Sequence, residues 1–173
     1  MARISPPTAT PPGRTDILTA LVVGPDSPLN PDLDLLFARH QAHCHADTPP
    51  ESIHMMDRSA LNIPAISFLA LRDGENAIAM GAVKDLGDGT AELKSMHVLT
   101  EARGKGAAQL MLSALVQAAR DRGARAIYLE TGAQPSFAAA RALYLRAGFA
   151  LCPPFAQYRE DPNSAFMVMD LRG

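Results

Sequence analysis

The amino-acid sequence predicts an α/β domain with three layers, in which a mixed, mostly antiparallel sheet of about seven strands is flanked by helices. Two patterns lead to this fold class. Apolar segments joined by short Asp-Gly turns between residues 65 and 98 indicate an antiparallel meander. From residue 106 onward, helical and strand-like segments alternate, as they do where helices cover a sheet.

Length and composition are those of a globular protein of one domain. The chain has 173 residues, of which 47% are hydrophobic and 20% charged. A formal net charge of −2 gives no electrostatic basis for binding nucleic acid or a membrane surface. Proline-rich residues 1–15 are expected to form a flexible extension before a single domain over residues 16–173. This extension lacks the apolar segment of a secretory signal, so a cytoplasmic location is expected.

The first third of the chain predicts one strand and one helix. The apolar run over residues 17–24 is typical of a strand and ends at a Gly-Pro pair. Asn30 and Pro31 then offer a cap and a first residue for a helix over 30–47. Residues 49–61 are expected to form a second short helix or an irregular connection.

The later elements follow from the spacing of apolar residues and from the turns between them. Predicted strands cover residues 65–72, 77–85, 91–98, 125–131, 150–158 and 164–171. Predicted helices cover residues 106–122, where Gly123 is a fitting stop, and 135–148.

The stretch TEARGKGAAQL places two glycines and two cations where the helix over 106–122 should begin. It is not a P-loop, which needs GxxxxGK[ST], and Gln109 stands where the dinucleotide pattern GxGxxG needs its third glycine. A helix N-terminus that binds a diphosphate fits this stretch, because its bare N–H groups and the cations attract phosphate oxygens. A glycine-rich turn with two solvated cations is the alternative, and the turn alone does not decide between them.

Two motifs, in this order, resemble the signatures of the GNAT acetyltransferase superfamily. Arg103, Gly106 and Ala108 meet the family's pattern Arg/Gln-x-x-Gly-x-Gly/Ala, and ALYLRAGF over 142–149 resembles its second signature. Shorter stretches are similar to those of the YsnE-like bacterial acetyltransferases: PPESIH, ELKSM, LETG and FAAARALYLRAGF. The resemblance extends from residue 49 to 171 and implies the GNAT fold.

The resemblance also implies a reaction, in which the acetyl group of acetyl-CoA passes directly to an amine of a small molecule or peptide. A non-catalytic acyl-CoA-binding sensor or interaction module is the alternative, because it would need the same phosphate-binding turn. The implied cofactor-binding residues are Met96, His97, Val98, Arg103, Gly104, Lys105, Gly106, Ala107, Ala108 and Gln109. Among them, the Val98 N–H is the implied donor to the oxyanion. Phe137 stands where the family often has an asparagine that contacts CoA.

Two residues are predicted to be catalytic. Tyr144 matches the family's general acid, although on an apolar stripe it could also be a core tyrosine. Glu92 is the predicted general base, and Glu130 is the second candidate. The alternative is that Glu92 is simply a charged residue at the end of a strand, with no catalytic role. Lys94 could keep Glu92 ionised or simply neutralise it. Alternation along the strand places four side chains on one face, Glu92, Lys94, Met96 and Val98.

The amine acceptor is expected near polar residues of the N-terminal segment and the last loop. The residues so predicted are His45, His54, Glu130, Tyr158, Asp161 and Asn163. Solvated histidines and a tight Asp-Pro-Asn turn are the plain alternatives. His40 and Cys44 have the spacing of zinc ligands on a helix, but no second pair completes a site, so no metal is expected. A homodimer is possible, since dimers are common in the family.

Overall fold

The computed structural model describes residues 20–173, so the predicted extension over 1–15 and residues 17–19 of the first predicted strand lie outside the described residues. Seven strands form one sheet: β1 (Leu21–Pro25), β2 (Ile66–Asp73), β3 (Asn76–Asp85), β4 (Ala91–Val98), β5 (Ala126–Gly132), β6 (Ala150–Leu151) and β7 (Ser164–Asp170). Their order in the sheet is β1-β2-β3-β4-β5-β7-β6, and only the β4–β5 pair is parallel. Three α-helices accompany them: α1 (Asp34–His45), α2 (Ala107–Asp121) and α3 (Ala138–Ala147).

Helices α1 and α2 cover opposite faces of the sheet. A Cβ added to Gly81 on β3 would lie 2.5 Å from the side chain of Leu115, so this position faces α2. The adjacent Met80 faces the other side and pairs with His97, whose ring centroid lies 5.5 Å from that of His40 on α1. The predicted three-layer fold is thereby confirmed, with α3 lying against α2. Across residues 20–173, no helix has the length and apolar character that a membrane crossing requires.

Apolar residues at helical spacing have different roles on α2 and α3. On α2 they are buried in the core, namely Met111, Leu112, Leu115, Val116 and Ala119. On α3 only Tyr144 is buried. Other apolar residues of the α3 stripe line a cleft instead, namely Ala139, Ala140 and Leu143. Helical spacing alone does not distinguish a stripe that faces the core from one that faces a ligand site.

Several boundaries differ from the predicted ones for local reasons. The helix predicted over 30–47 begins as a 3₁₀ turn at Pro31–Leu33, and the Asn30 side chain donates to Asp26 without capping the turn. Residues 49–61 form a single 3₁₀ turn, Pro50–Ser52, within an irregular connection.

The strand predicted over 150–158 is also shorter than expected. It stops at Leu151 because two prolines follow almost at once and have no N–H to donate to the β-ladder. Residues after them leave the sheet and form the loop that runs to β7. This loop carries the predicted acceptor residues Tyr158, Asp161 and Asn163.

A β-bulge in β4 overturns one prediction about side-chain direction. Lys94 pairs with Ala82 and His97 pairs with Met80, so Ser95 and Met96 together oppose Gly81. Ser95 takes a left-handed backbone conformation, with φ of 53°. The extra residue shifts the alternation by one, so Glu92, Lys94 and His97 share the α1 face while Val98 points to the α2 face. The prediction that Val98 shares a face with Glu92 is therefore wrong.

Candidate active site

A cleft opens where strands β4 and β5 separate. The two parallel strands are hydrogen-bonded only at their first residues, from Ala91 to Leu93 on β4 and from Ile127 to Leu129 on β5. Beyond these pairs the strands diverge and leave a cleft of about 370 Å³ between them. We call the end near Glu92 and Glu130, where the strands are still paired, the closed end of the cleft, and the end at the turn that follows β4 the open end.

The turn at the open end presents unpaired backbone N–H groups. Gly104 and Gly106 both have φ of +78°, a left-handed conformation that favours glycine. The first backbone hydrogen bond of α2 runs from the Leu110 N–H to the Gly106 carbonyl at 3.0 Å. The N–H groups of residues 107–109 therefore have no acceptor within the helix. A Cβ at either glycine would meet nothing within 4 Å, so the space beside the turn is open to phosphate oxygens.

The predicted cofactor-binding residues divide between the cleft and this turn. Met96, His97, Val98, Arg103 and Ala108 line the cleft. Gly104, Lys105, Gly106, Ala107 and Gln109 form the turn and the first residues of the helix at its open end. This arrangement suits the diphosphate and the extended arm of CoA, with the arm between the strands and the phosphates at the helix N-terminus.

The free edge of β4 directs backbone groups into the cleft. The Leu99 N–H donates to the Ile78 carbonyl of the neighbouring strand at 2.9 Å. Because alternate residues of a strand direct their backbone groups to opposite edges, the Val98 N–H points away from β3 and toward the gap. A donor in this direction is placed to bind a carbonyl oxygen of a ligand lying in the cleft.

Tyr144 extends from α3 to the middle of the cleft. Its hydroxyl lies 3.9 Å from the Met96 sulfur, and its ring packs edge-on against Phe149 with centroids 5.7 Å apart. Burial raises the pKa of the Tyr144 hydroxyl, and the negative charge of Glu130 acts in the same direction. The hydroxyl therefore keeps its proton at neutral pH and can donate it.

Glu92 is buried and paired at the closed end. Its side chain is 5% exposed, and its Oε1 accepts hydrogen bonds from the Tyr158 hydroxyl at 2.5 Å and from Lys94 Nζ at 3.1 Å. Lys94 Nζ also donates to the Tyr158 hydroxyl at 2.9 Å. Burial, followed by the charge of Glu92, raises the pKa of Tyr158. Tyr158 does not line the cleft itself but supports the Glu92–Lys94 pair from behind.

Glu130 lines the same end of the cleft. Burial raises the pKa of its carboxyl and Glu92 adds to this effect, while the Ser164 hydroxyl, His54 and Lys94 oppose it. The charge of Glu130 in turn raises the pKa of Tyr144 and of Cys44. A carboxyl whose pKa is raised binds a proton at a higher pH than an ordinary glutamate does.

A cluster of histidines lies between α1 and β4. The ring centroids of His40 and His43 lie 5.5 Å and 6.3 Å from that of His97. Burial and the neighbouring imidazoles lower the pKa of His40 to about 4 and that of His97 to about 3, so both are neutral at pH 7. Burial raises the pKa of the adjacent Cys44 thiol to about 11. In the described part of the chain, no three His, Cys, Asp or Glu side chains are grouped to hold a metal ion.

These buried imidazoles predict a loss of stability in acid. The unfolded chain binds protons at His40 and His97 below about pH 6.5, whereas the folded protein does so only near pH 4 and pH 3. The free energy of unfolding should therefore fall as the pH drops from about 6.5 to 4, by up to roughly 1.4 kcal/mol per pH unit for each histidine. We expect His97→Gln to flatten this slope in urea unfolding curves measured between pH 7.5 and pH 4.5.

The matched control is His45→Gln, because His45 is exposed and lies outside the cleft. His45 was predicted to bind the acceptor, but its place on α1 turns it away from the face that His40 and His43 share. A slope left unchanged by His97→Gln would show that other groups govern the stability in acid.

The other predicted acceptor residues lie on two segments at the closed end. His54 lines the cleft, and its ring meets the Tyr158 ring edge-on with centroids 5.1 Å apart. Asn163 Nδ2 donates to Ser52 Oγ at 3.2 Å. Hydrogen bonds from Ser52 and from the Asn163 backbone lower the pKa of Asp161. Asp161 and Asn163 thus hold the wall of the cleft but do not line it.

Sequence reasoning missed or misread several residues of the cleft. Thr48 lines it without any motif to mark it, and Ser52 lies in the stretch PPESIH but was given no role. Arg146 also lines it, with an exposed side chain. Arg141 on α3 donates to the Gly132 carbonyl at 2.6 Å and so fixes the end of β5.

The split pair of parallel strands, with a helix N-terminus at its open end, defines the class of protein as an acyl-CoA-dependent acyltransferase. The sequence profile of the Acetyltransferase (GNAT) family matches residues 34–149, and the chain belongs to this family.

Sequence relatives agree with this assignment. The uncharacterised N-acetyltransferase YedL of Escherichia coli K12 is 40% identical over 146 residues, which cover 84% of this chain and 92% of YedL. The uncharacterised N-acetyltransferase YsnE of Bacillus subtilis 168 is 41% identical over 132 residues, or 75% of this chain and 87% of YsnE. An IAA acetyltransferase of Azospirillum brasilense is 38% identical over 125 residues, covering 71% and 80% of the two chains. The protein is therefore an enzyme that catalyses acyl transfer.

Solved structures share the fold. A predicted acyl-CoA N-acyltransferase from Klebsiella pneumoniae superposes with a TM-score of 0.69 and 26% identity, over 88% of this chain and 99% of that one. The IAA acetyltransferase from Bacillus cereus superposes with a TM-score of 0.63 over 88% and 100% of the two chains. At 17% identity, this second likeness is one of fold alone.

Proposed function

We propose that the enzyme transfers the acetyl group of acetyl-CoA directly to the amine of a small molecule or peptide. The observation that carries this proposal is the divergence of β4 and β5 after Leu93 and Leu129, which opens a cleft between the phosphate-binding turn and a buried tyrosine. Cytoplasmic location and a homodimer remain predictions.

In this proposal the chain holds the donor at three places. The N–H groups of residues 107–109, with Arg103 and Lys105, bind the diphosphate. The free edge of β4 binds the pantetheine arm, and the apolar stripe of α3 packs against it from the other side. The Val98 N–H donates to the thioester oxygen as negative charge develops there.

The chemical step needs one proton donor and one proton acceptor. The amine nitrogen forms a bond to the acetyl carbon while the bond from that carbon to the CoA sulfur breaks. Tyr144 gives its proton to the departing thiolate, since burial keeps this hydroxyl protonated. A carboxylate at the closed end takes the proton that the amine loses.

Glu130 is the better placed of the two candidate bases. The Glu92 carboxylate already accepts hydrogen bonds from Lys94 and Tyr158, so it is held as the charged partner of an ion pair. Glu130 lines the cleft, and burial raises its pKa toward the range in which a base works at neutral pH. We therefore assign proton uptake to Glu130 and assign Glu92 the role of positioning Lys94 and Tyr158.

The test is acceptor-dependent release of CoA thiol, measured as a function of pH over a panel of amines, namely amino acids, polyamines, aminoglycosides and peptides, with IAA as a further acceptor that is not an amine. IAA is included because a 38% identical relative is named for it. Because Glu130 must be ionised to take up a proton, kcat should rise with pH through the Glu130 pKa. Glu130→Gln should remove this rise and lower kcat by roughly 100-fold.

Glu92→Gln serves as the comparison, because it changes the partner of Lys94 but leaves Glu130 in place. We expect it to lower kcat less and to keep the shape of the pH profile. If Glu92→Gln lowered kcat more than Glu130→Gln and also removed the rise of kcat with pH, Glu92 would be the base. CoA binding without thiol release for every acceptor would instead favour the non-catalytic binding module.

A further inference from the structure

The closed end of the cleft carries a positive and a negative side chain on opposite strands. Leu93 on β4 and Leu129 on β5 are the last paired residues, so Lys94 and Glu130 are the first residues beyond the split. Matching positions of paired parallel strands direct their side chains to the same face of the sheet, so both lie on the α1 face. Both also line the cleft. A cation and an anion therefore lie on the two sides of its closed end.

Lys94 is held by two hydrogen-bond partners but has a third N–H to donate. Its Nζ donates to Glu92 Oε1 at 3.1 Å and to the Tyr158 hydroxyl at 2.9 Å. An ammonium group has three N–H donors, so one is left for a further acceptor. Within residues 20–173, the ion pair of Lys94 is with Glu92 and not with Glu130. The third N–H is thus available to a ligand in the cleft.

The surroundings of Lys94 favour a ligand that brings a negative charge. The Lys94 side chain is 11% exposed, so its ammonium group is largely shielded from solvent. An ammonium in such a place binds a carboxylate more strongly than a neutral oxygen, because opposite charges attract more strongly away from water. Burial raises the pKa of Glu130, and the positive charge of Lys94 is among the effects that oppose this rise. The two charges therefore act on each other across the closed end.

Other cations of the cleft are less suited to this task. Arg103 belongs to the turn that fits a diphosphate. Arg146 and His54 line the cleft but are exposed, so water competes for their donors. Lys94 combines burial, fixed partners and a position opposite Glu130.

We propose that the acceptor is an amine that also carries a carboxylate, such as a free amino acid, and that Lys94 binds this carboxylate. The inference rests on the proposed function and names its substrate class. The amine lies toward Glu130, which takes up its proton, while the carboxylate lies toward the third N–H of Lys94. Glu92 and Tyr158 hold the ammonium at this position. A polyamine or an aminoglycoside has no negative group to offer it.

Amino acids and their amides test the substrate class. Each amide keeps the side chain and the reacting amine of its amino acid but lacks the carboxylate. The enzyme is given acetyl-CoA labelled in the acetyl group, with a pool of free amino acids and, at equal concentration, a pool of the corresponding amides. We expect the label to enter the amino acids roughly 10- to 100-fold more than the amides, as a hydrogen bond between charged groups provides.

The other outcomes separate this inference from the proposed function. Equal labelling of the two pools, or preferred labelling of the amides, overturns the inference and leaves the proposed function standing. Acetylation of polyamines or aminoglycosides in preference to amino acids does the same. Acetylation of no amine at all, by enzyme that binds CoA, overturns the proposed function and the inference with it.

Lys94→Met tests the residue itself. We expect kcat/KM for an amino acid to fall by roughly tenfold or more, while kcat/KM for its amide changes much less. Damage to the fold or a changed pKa of Glu130 would instead lower both values together. Arg120→Met is the matched control and should keep the preference, because it removes a positive charge at an exposed position outside the cleft. A preference for amino acids that survives Lys94→Met overturns the role of Lys94.

A second variant covers the case in which Lys94→Met does not fold. Removing Lys94 alone leaves Glu92 as a buried charge without its ion-pair partner. The double variant Glu92→Gln with Lys94→Met removes both charges. It is compared with Glu92→Gln in the same assay, and the same loss of preference is expected. A preference that the double variant keeps in full overturns the role of Lys94.

Discussion

Replacing Gly106 with glutamate is expected to abolish CoA binding, raising the Kd at least about 100-fold, or roughly 3 kcal/mol. Gly106 precedes α2 with φ of +78° and has open space where a side chain would begin. A glutamate there brings a negative charge to the N–H groups that should receive the diphosphate, and it also strains the left-handed backbone. Titration calorimetry with CoA measures the effect directly.

Gly123→Glu separates the effect of the added negative charge from the effect of backbone strain. Gly123 also has φ of +78° and open space around it, but it follows the other end of the same helix. This control should lose similar stability from backbone strain and yet bind CoA as the unchanged protein does. Micromolar binding retained by Gly106→Glu would show that the phosphates lie elsewhere.

Replacing Tyr144 with phenylalanine is expected to lower kcat by roughly 100-fold while changing CoA affinity little. The substitution keeps the ring that packs against Phe149 and removes only the hydroxyl. This hydroxyl makes a weak contact with the Met96 sulfur at 3.9 Å. Stability should therefore hardly change, while the CoA thiolate loses its proton donor. Single-turnover measurements of thiol release detect this loss even where product release limits the steady state.

Tyr128→Phe is the control for this substitution. Tyr128 is a half-buried tyrosine of β5 that stacks on Phe155 and does not line the cleft. Removing the Tyr128 hydroxyl should leave kcat within about twofold of the value for the unchanged protein, because this hydroxyl lies away from the reacting atoms. An unchanged single-turnover rate for Tyr144→Phe would make Tyr144 a core residue only.

Much of the fold could be predicted because its signals are local. Apolar segments joined by Asp-Gly turns mark β2, β3 and β4, and the apolar residues from Met111 to Ala119 mark α2. The two glycines before Ala107 mark the turn, because few other residues adopt that backbone conformation. Tyr144 could be placed by its motif, and the structure places it in the cleft.

The features that shape the candidate site could not be predicted in this way. The bulge at Ser95 and Met96 has no signal in the sequence, since a serine gives no indication of positive φ, yet it turns Val98 to the other face. The hydrogen bond from Tyr158 to Glu92 joins residues 66 positions apart, and it is the reason why the proposed mechanism takes Glu130 as the base.

The fold class, the order of the elements and the turn that suits a diphosphate can be read from the amino-acid sequence. These depend on periodicity and backbone preference, which act over a few neighbouring residues. The width of the cleft, the neutral state of His40 and His97 and the hydrogen bond from Asn163 to Ser52 can be read only from the folded protein. Burial and contacts between distant residues set these properties, and neither exists until the chain has folded.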